Sequence, residues 1–338
     1  MQQLRIALRD WDHLTPLLMG EVDLTALHDT GHDLEITRVP SLPSLDDDRY
    51  DAAEISLSGY VRAVAAGQPA RIAVPHLLMQ SFRHRCIIVN RHSDLHHPEQ
   101  LRNGRIGLTG WPDSGNTWTR AVLAEHGVGI PEATWVVGRL TAQHPVIDRL
   151  GGFGRPGHIV ARDDKPLVDQ LSEGELDAVL TPFMPTGFYS ADSPWRPLFR
   201  NVRSVESAYF ARHGFVPGMH LLGLRPELAA SPVADLLVQA LCTSRQIWAD
   251  RRRKYADTSL WLTEDLLHEA THLPSDWWLP GLDRHAPMFS AFLTEQVTQG
   301  LLVSPPTLDQ LFPSAVTPAE TCATPGMQPN PQSSKEIR

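Results

Sequence analysis

The 338-residue chain is short of what marks a disulfide-stapled, membrane-spanning or polyanion-binding protein. Its three cysteines, Cys86, Cys242 and Cys322, are too few and too scattered for a disulfide framework, and no CxxC occurs, which excludes a cysteine-rich zinc site. No apolar run approaches the ~20 residues of a membrane span. Positive charge is in deficit, 30 Lys and Arg against 39 Asp and Glu, a net −9. An acidic balance gives no general attraction for nucleic acid or an anionic membrane. The first residues, Met1 to Ala7, lack a basic segment followed by an apolar one, so a cytoplasmic location is the expectation. The partner expected is a small molecule, and a homo-oligomer is left open.

Hydrophobic residues make up 42% and charged residues 20%, ordinary usage for a globular protein, and the length suits two domains. Short apolar runs predict strands at Leu4–Leu8, Leu34–Val39, Arg71–Leu78, Cys86–Asn90, Ile106–Thr109, Leu176–Leu180 and His220–Leu224. From Tyr50 to Ser58, Ala53, Ile55 and Leu57 alternate with Glu54, Ser56 and Ser58, which puts the three polar side chains on one face of a strand. Helical patterns follow at 59–66, with Ser58 as expected N-cap, at 117–126 and at 167–174. Beyond Pro226 the chain reads as almost wholly helical. Strands alternating with helices argue for an α/β fold. From Pro313 the composition turns to Pro, Ser and Thr, the signature of an unstructured tail over 313–338.

Some short motifs carry less than they promise. His268-Glu269-Ala270-Thr271-His272 matches the HExxH zinc-protease pattern. Pro274 ends the helix two residues later, and no third histidine follows at the longer spacing, so no metal site is assigned. The glycine-rich Gly151–Gly157 lacks the Lys-Ser/Thr ending of a phosphate loop and reads as a flexible loop. Arg251-Arg252-Arg253-Lys254 reads as a solvated helix face.

Longer strings are more specific. They are 50–60 (YDAAEISLSGY), 81–90 (SFRHRCIIVN), 195–199 (WRPLF), 214–220 (GFVPGMH), 276–281 (DWWLPG) and 308–312 (LDQLF). In this order and spacing the chain resembles the 4,5-dihydroxyphthalate decarboxylase family from about Leu4 to Phe312. That resemblance implies a two-lobed, type 2 periplasmic-binding-protein-like fold with hinge strands and a central cleft. Lobe one would comprise 1–86 plus 220–312, and lobe two 87–219. One turn departs from the family. Where the family has Tyr, Thr-Ala and Trp-x-Arg-Gly, this chain has Trp111, then Ser114-Gly115-Asn116-Thr117, then Trp118-Thr119-Arg120-Ala121. The turn is expected to line the cleft, so the substrate need not be 4,5-dihydroxyphthalate itself.

The activity the resemblance implies is decarboxylation of a hydroxylated aromatic acid. Such a reaction needs a proton donor over the ring, cations or N–H groups for carboxylates, and an acceptor for a phenol proton. The ring is its own electron sink, so no cofactor is expected. His84 and His220, on the outgoing and returning inter-lobe strands, are the expected proton-transfer pair, close in space, although a structural role for each competes evenly. Strand alternation would put Arg83 and Arg85 on one face, suited to clamping a carboxylate, and His84 on the other. Glu54 could take the phenol proton, with Ser56 and Ser58 on substrate oxygens. Asn116, Thr117 and Trp118 at a helix start, and Thr181, could hold an anion, though core packing or capping also explains Trp118 and Thr181. Asp12 and Trp278 complete the candidate cleft, with His13 a further guess beside them. Solute binding of a small carboxylate, or another lyase or dehydratase on the same fold, are the competing functions.

Overall fold

A computed structural model describes residues 1–313 and Cys322. The expected tail, apart from Pro313 and Cys322, lies outside the described residues. Two sheets organise the chain. The first contains β1 (Gln2–Leu8), β2 (His32–Arg38), β3 (Ala52–Ser56), β4 (Ile72–Gln80) and β11 (Gly218–Leu224). The second contains β5 (Ile87–Asn90), β6 (Arg105–Leu108), β7 (Thr134–Val137), β8 (Ile159–Ala161), β9 (Ala178–Leu180) and β10 (Trp195–Pro197). Their spatial orders are β2-β1-β3-β11-β4 and β10-β5-β9-β6-β7-β8. In the first sheet β1 runs parallel to β2 and β3, while β11 lies antiparallel between β3 and β4. Pro75 is tolerated inside β4 because that strand is the sheet edge.

The β3 segment shows how the sequence sets the packing. Ala53 and Ile55 enter a core shared with the second sheet, and Ala52 enters a core on the opposite face. That opposite face is covered by the long Val233–Tyr255 helix. Strand alternation places Glu54 and Ser56 on its side. The chain leaves β3 directly into the Leu57–Ala65 helix, so the N-cap is Ser56, not Ser58; its Oγ accepts from Gly59 N. Likewise the second-lobe helix begins at Ser114, three residues before the apolar periodicity suggested, and runs to Glu125.

Both sheets aim their strand ends at the same region. The chain turns to opposite sides after β1, reaching β2 on one flank and β3 on the other. A crevice at such a switch, beyond the strand C-termini, is where open α/β sheets hold ligands. In the second sheet, β6 lies between β7 and β9 in the same way. The Ser114–Glu125 helix is fastened to the crossing strand β11 by Trp118, whose Nε1 donates to the Gly218 carbonyl at 2.9 Å. Its ring packs on Phe215 and Phe292. Trp118 therefore ties the Ser114–Glu125 helix to β11 with its polar atom engaged. Trp118→Phe keeps an aromatic ring but removes the donor and the indole's second ring. We expect it to lower stability by about 1–2 kcal/mol, read as an earlier urea midpoint; an unchanged midpoint would show that the bond contributes nothing.

Candidate active site

At the mouth of the first sheet three donors, two from the stretch after β1 and one from β11, converge on Glu54. Its side chain is fully buried. Oε2 accepts from Arg9 N at 2.9 Å, and Oε1 accepts from Trp11 Nε1 at 2.9 Å. His220 on β11 places Nδ1 2.5 Å from the same Oε1. With two other donors already on the carboxylate, the His220 Nδ1–H donates to it. This fixes the tautomer and leaves Nε2 as the atom free to exchange a proton. The His220 side chain retains 15% exposure. Both Glu54 oxygens are engaged by these donors, which places it to orient His220.

The second lobe presents a helix start to this pair. Ser114 Oγ lies 3.0 Å from Ser56 Oγ and accepts from Ser58 N at 2.9 Å, so the N-termini of the Leu57–Ala65 and Ser114–Glu125 helices meet. Helix N-termini carry unpaired N–H groups and partial positive charge. Arg83 reinforces them. It is 1% exposed, and none of its three guanidinium nitrogens has a hydrogen-bond partner among the described residues. The guanidinium lies against Gly115, close enough that a Cβ there would sit 2.7 Å from a terminal nitrogen. Burial lowers the Arg83 pKa. Glu206 and Asp113 lie near enough to favour its charge but make no ion pair with it, and a buried guanidinium left unpaired is costly, so this position suits a ligand carboxylate.

Arg85 points elsewhere. Residues 84–86 form a 3-10 turn, not a strand, so alternation does not apply. Arg83 and His84 are buried, whereas Arg85 is exposed. His84 packs its ring edge against Tyr209 and Phe199, at centroid distances of 5.2 and 5.6 Å. No hydrogen bond or ring contact joins it to His220, so the expected histidine pair is not assembled. Burial drives the His84 pKa down to about 4, helped by the nearby His126, Arg212 and His213.

The other expected residues divide by what they touch. Ser58 donates to Gln296 Oε1, and Thr117 to the Asp113 carbonyl; both are fully buried. Thr181 Oγ donates to the Phe183 carbonyl and accepts from Phe183 N, shaping its own loop. Asn116 Nδ2 donates to the Gly110 carbonyl, while its Oδ1 is buried without a partner. Asp12 is largely exposed beside His13.

Three residues escaped sequence reading. Arg9 follows β1, and its guanidinium sits 5.3 Å from the rings of Trp11 and of Phe183 in the opposite lobe. Among the described residues it has no ion pair. Asp113, the N-cap of the second-lobe helix, keeps solvent access but is walled by protein. Loss of water raises its pKa, opposed by Arg120, Arg149, His220 and Arg62. It folds over Gly110, where a Cβ would sit 2.3 Å from Oδ2.

A cavity of about 740 Å³ adjoins this cluster. Trp11 is part of its wall, as are Asp12, His13, Gln80, Arg85 and Trp278. His268 and His272 also reach it, but their rings stack at 4.0 Å, His268 Nε2 contacts Ser207 Oγ, and Glu269 pairs with Arg252. Among the described residues no group of three or more His, Cys, Asp or Glu is arranged to hold a metal ion. The basic run is likewise spent in part on pairs, Arg251 with Glu21 and Arg253 with Asp250. Among the described residues no helix is long and apolar enough to cross a membrane.

No family model matches the chain. Over 308 residues it is 28% identical to the 4,5-dihydroxyphthalate decarboxylase of Comamonas testosteroni, covering 88% of this chain and 92% of that one. The enzyme of the same name from Pseudomonas putida is 29% identical over 217 residues, 61% of this chain and 81% of its own. The chain is homologous to these decarboxylases. Among solved structures, the alkanesulfonate-binding protein SsuA from Xanthomonas axonopodis pv. citri, bound to MOPS, superimposes with a TM-score of 0.55 at 17% identity, covering 93% of this chain and 98% of that one. The fold is that of the type 2 periplasmic binding proteins.

Buried neutral histidines give the molecule a testable acid limit. Burial lowers the pKa of His84 and His285 to about 4, and of His76 to about 3. Unfolded, each takes up a proton near the ordinary 6.5. Their neutral state therefore favours folding above that value, and stability falls as pH drops from 6.5 through the lowered values. In that window each costs about 1.4 kcal/mol per pH unit. We expect thermal melts of His84→Phe to show a shallower loss between pH 6 and pH 4 (approximate bounds) than the native chain; identical slopes would place the acid sensitivity elsewhere.

Proposed function

We propose that the protein is a decarboxylase of a hydroxylated aromatic carboxylic acid related to 4,5-dihydroxyphthalate. Homology over 88% of the chain supports a carboxy-lyase, and the observation that carries the chemistry is the Glu54–His220 contact at the lobe boundary.

The substrate carboxylate is held by Arg83 and the start of the Ser114–Glu125 helix. Arg9 and the faces of Trp11 and Phe183 hold the ring. His220, protonated and oriented by Glu54, delivers a proton from Nε2 to the ring carbon bearing the leaving carboxylate. The ring hydroxyl supplies the electron pair as its proton passes to Asp113, giving a dienone that still carries its ionised carboxylate. The carbon–carboxyl bond then breaks. CO2 departs, the bonding pair restores the aromatic ring, and the oxygen regains its proton. The sum is one carboxylate and one proton converted to CO2 and a C–H bond. Asp113 suits the acceptor role because its surroundings raise its proton affinity.

His220→Asn is expected to lower kcat by about 10²–10⁴-fold, read as CO2 release from 4,5-dihydroxyphthalate or a ring-substituted analogue. A His220→Asn enzyme as fast as the native one would remove the proposed proton donor. Gly115→Ala, which drives a methyl into Arg83, is expected to raise KM about tenfold with a smaller change in kcat. If the native chain evolves no CO2 from any hydroxylated aromatic acid and returns its ligand unchanged, a solute-binding role replaces the decarboxylase.

A further inference from the structure

We propose that the Trp11 indole N–H sets how tightly His220 holds its proton, acting through Glu54 as a positioning residue. The effect on rate rests on the decarboxylase reading, but the basis of the proposal is one shared oxygen. Glu54 Oε1 accepts from Trp11 Nε1 at 2.9 Å and from His220 Nδ1 at 2.5 Å, while Oε2 is taken by Arg9 N at 2.9 Å. Each further donor on a carboxylate draws off charge that would otherwise favour a neighbouring cation. The indole N–H therefore weakens the grip of Glu54 on the protonated imidazole and leaves that imidazole the stronger acid.

The surroundings keep that donor in place. Trp11 N donates to the Arg9 carbonyl at 3.0 Å, and the Trp11 carbonyl accepts from Leu14 N at 3.0 Å. The ring packs on the core beneath the Val233–Tyr255 helix, and the Arg9 guanidinium sits 5.3 Å from its centroid. That centroid stands 6.3 Å from the His220 ring, with the planes tilted by 48°. An aromatic ring without a donor fills the same space; only the N–H reaches Glu54. Other titratable groups face the pair at longer range. Asp113 at the start of the Ser114–Glu125 helix lies within electrostatic range of His220, and His13 within range of Glu54. Burial lowers the His13 pKa, so it is uncharged at neutral pH. Among the described residues no side chain other than Trp11 and His220 hydrogen-bonds the Glu54 carboxylate. Removal of the indole donor therefore acts on His220 through that one contact.

The test removes the donor and keeps a ring. Trp11→benzothienylalanine puts sulfur in place of the indole N–H at nearly unchanged shape, and Trp11→Phe is the second variant. The His220 imidazole is followed by nitrogen NMR against pH in the resting full-length protein, and CO2 release from 4,5-dihydroxyphthalate is measured over the same range. The midpoint of His220 protonation is expected to rise by about half to one pH unit in both variants. An imidazolium that holds its proton more tightly passes it to a ring carbon less readily, so kcat falls by about three- to tenfold with little change in KM, and the alkaline limb of the kcat profile moves up with the midpoint. An unchanged midpoint in the benzothienylalanine variant overturns the proposal, because an indole that only packs changes the melting temperature and not the titration. A midpoint that rises while the rate profile stays put sustains the link from Trp11 to His220 and removes His220 as the proton donor. If the native chain releases no CO2, the decarboxylase reading fails and the titration still decides the proposal: a raised midpoint sustains it, an unchanged one ends it.

Discussion

One carboxylate holds the mouth of the first lobe together. Glu54 stands at the end of β3, takes the backbone N–H of Arg9 just past β1, and takes the imidazole of His220 on β11. A buried carboxyl has to be fully hydrogen-bonded, so these segments cannot shift independently. The same constraint selects the histidine tautomer and turns the Trp11 indole so that it walls the cavity. The orientation of His220 and the architecture of the lobe thus share one set of bonds.

The sequence was most readable where one periodicity ran undisturbed. Alternation through Ala53, Glu54 and Ile55 gave the strand and the face of Glu54, and the quoted strings gave the two-lobed fold. It was least readable where a few residues turn. Arg83-His84-Arg85 looks like alternating strand, but the chain tightens there into a 3-10 turn, which buries Arg83 and His84 together and leaves Arg85 out. β7, β8 and β10, like β5, β6 and β9, have only three or four residues, too few to display a period; the latter three were legible only as apolar runs. The Val202–His213 helix buries only Tyr209, so it has no apolar stripe to detect. Arg9 and Asp113 were hidden for another reason. Their significance depends on Phe183 and His220, which lie far away in sequence.

The polar residues near the cleft fall into two sorts. Ser58, Thr117, Thr181 and the Trp118 indole are occupied within the protein and hold the walls in place. Arg83 and Arg9 make no ion pair with the described residues, although Glu206 and Asp113 lie within electrostatic range of Arg83. A net charge of −9 conceals this arrangement, because most acidic groups lie elsewhere on the surface. Local pairing, not overall balance, decides what the cleft attracts.

The position of β11 carries a consequence for how the chain is made. This strand lies inside the first sheet, between β3 and β4, yet it follows every strand of the second sheet in sequence. During synthesis β3 and β4 have no partner joining them until His220 to Leu224 have emerged. The second lobe, whose strands are contiguous in the chain, is free to close first. The first lobe then completes around the last-arriving strand, and with it comes the histidine that Glu54 orients. Synthesis thus supplies His220 only after the strands of the second sheet have emerged.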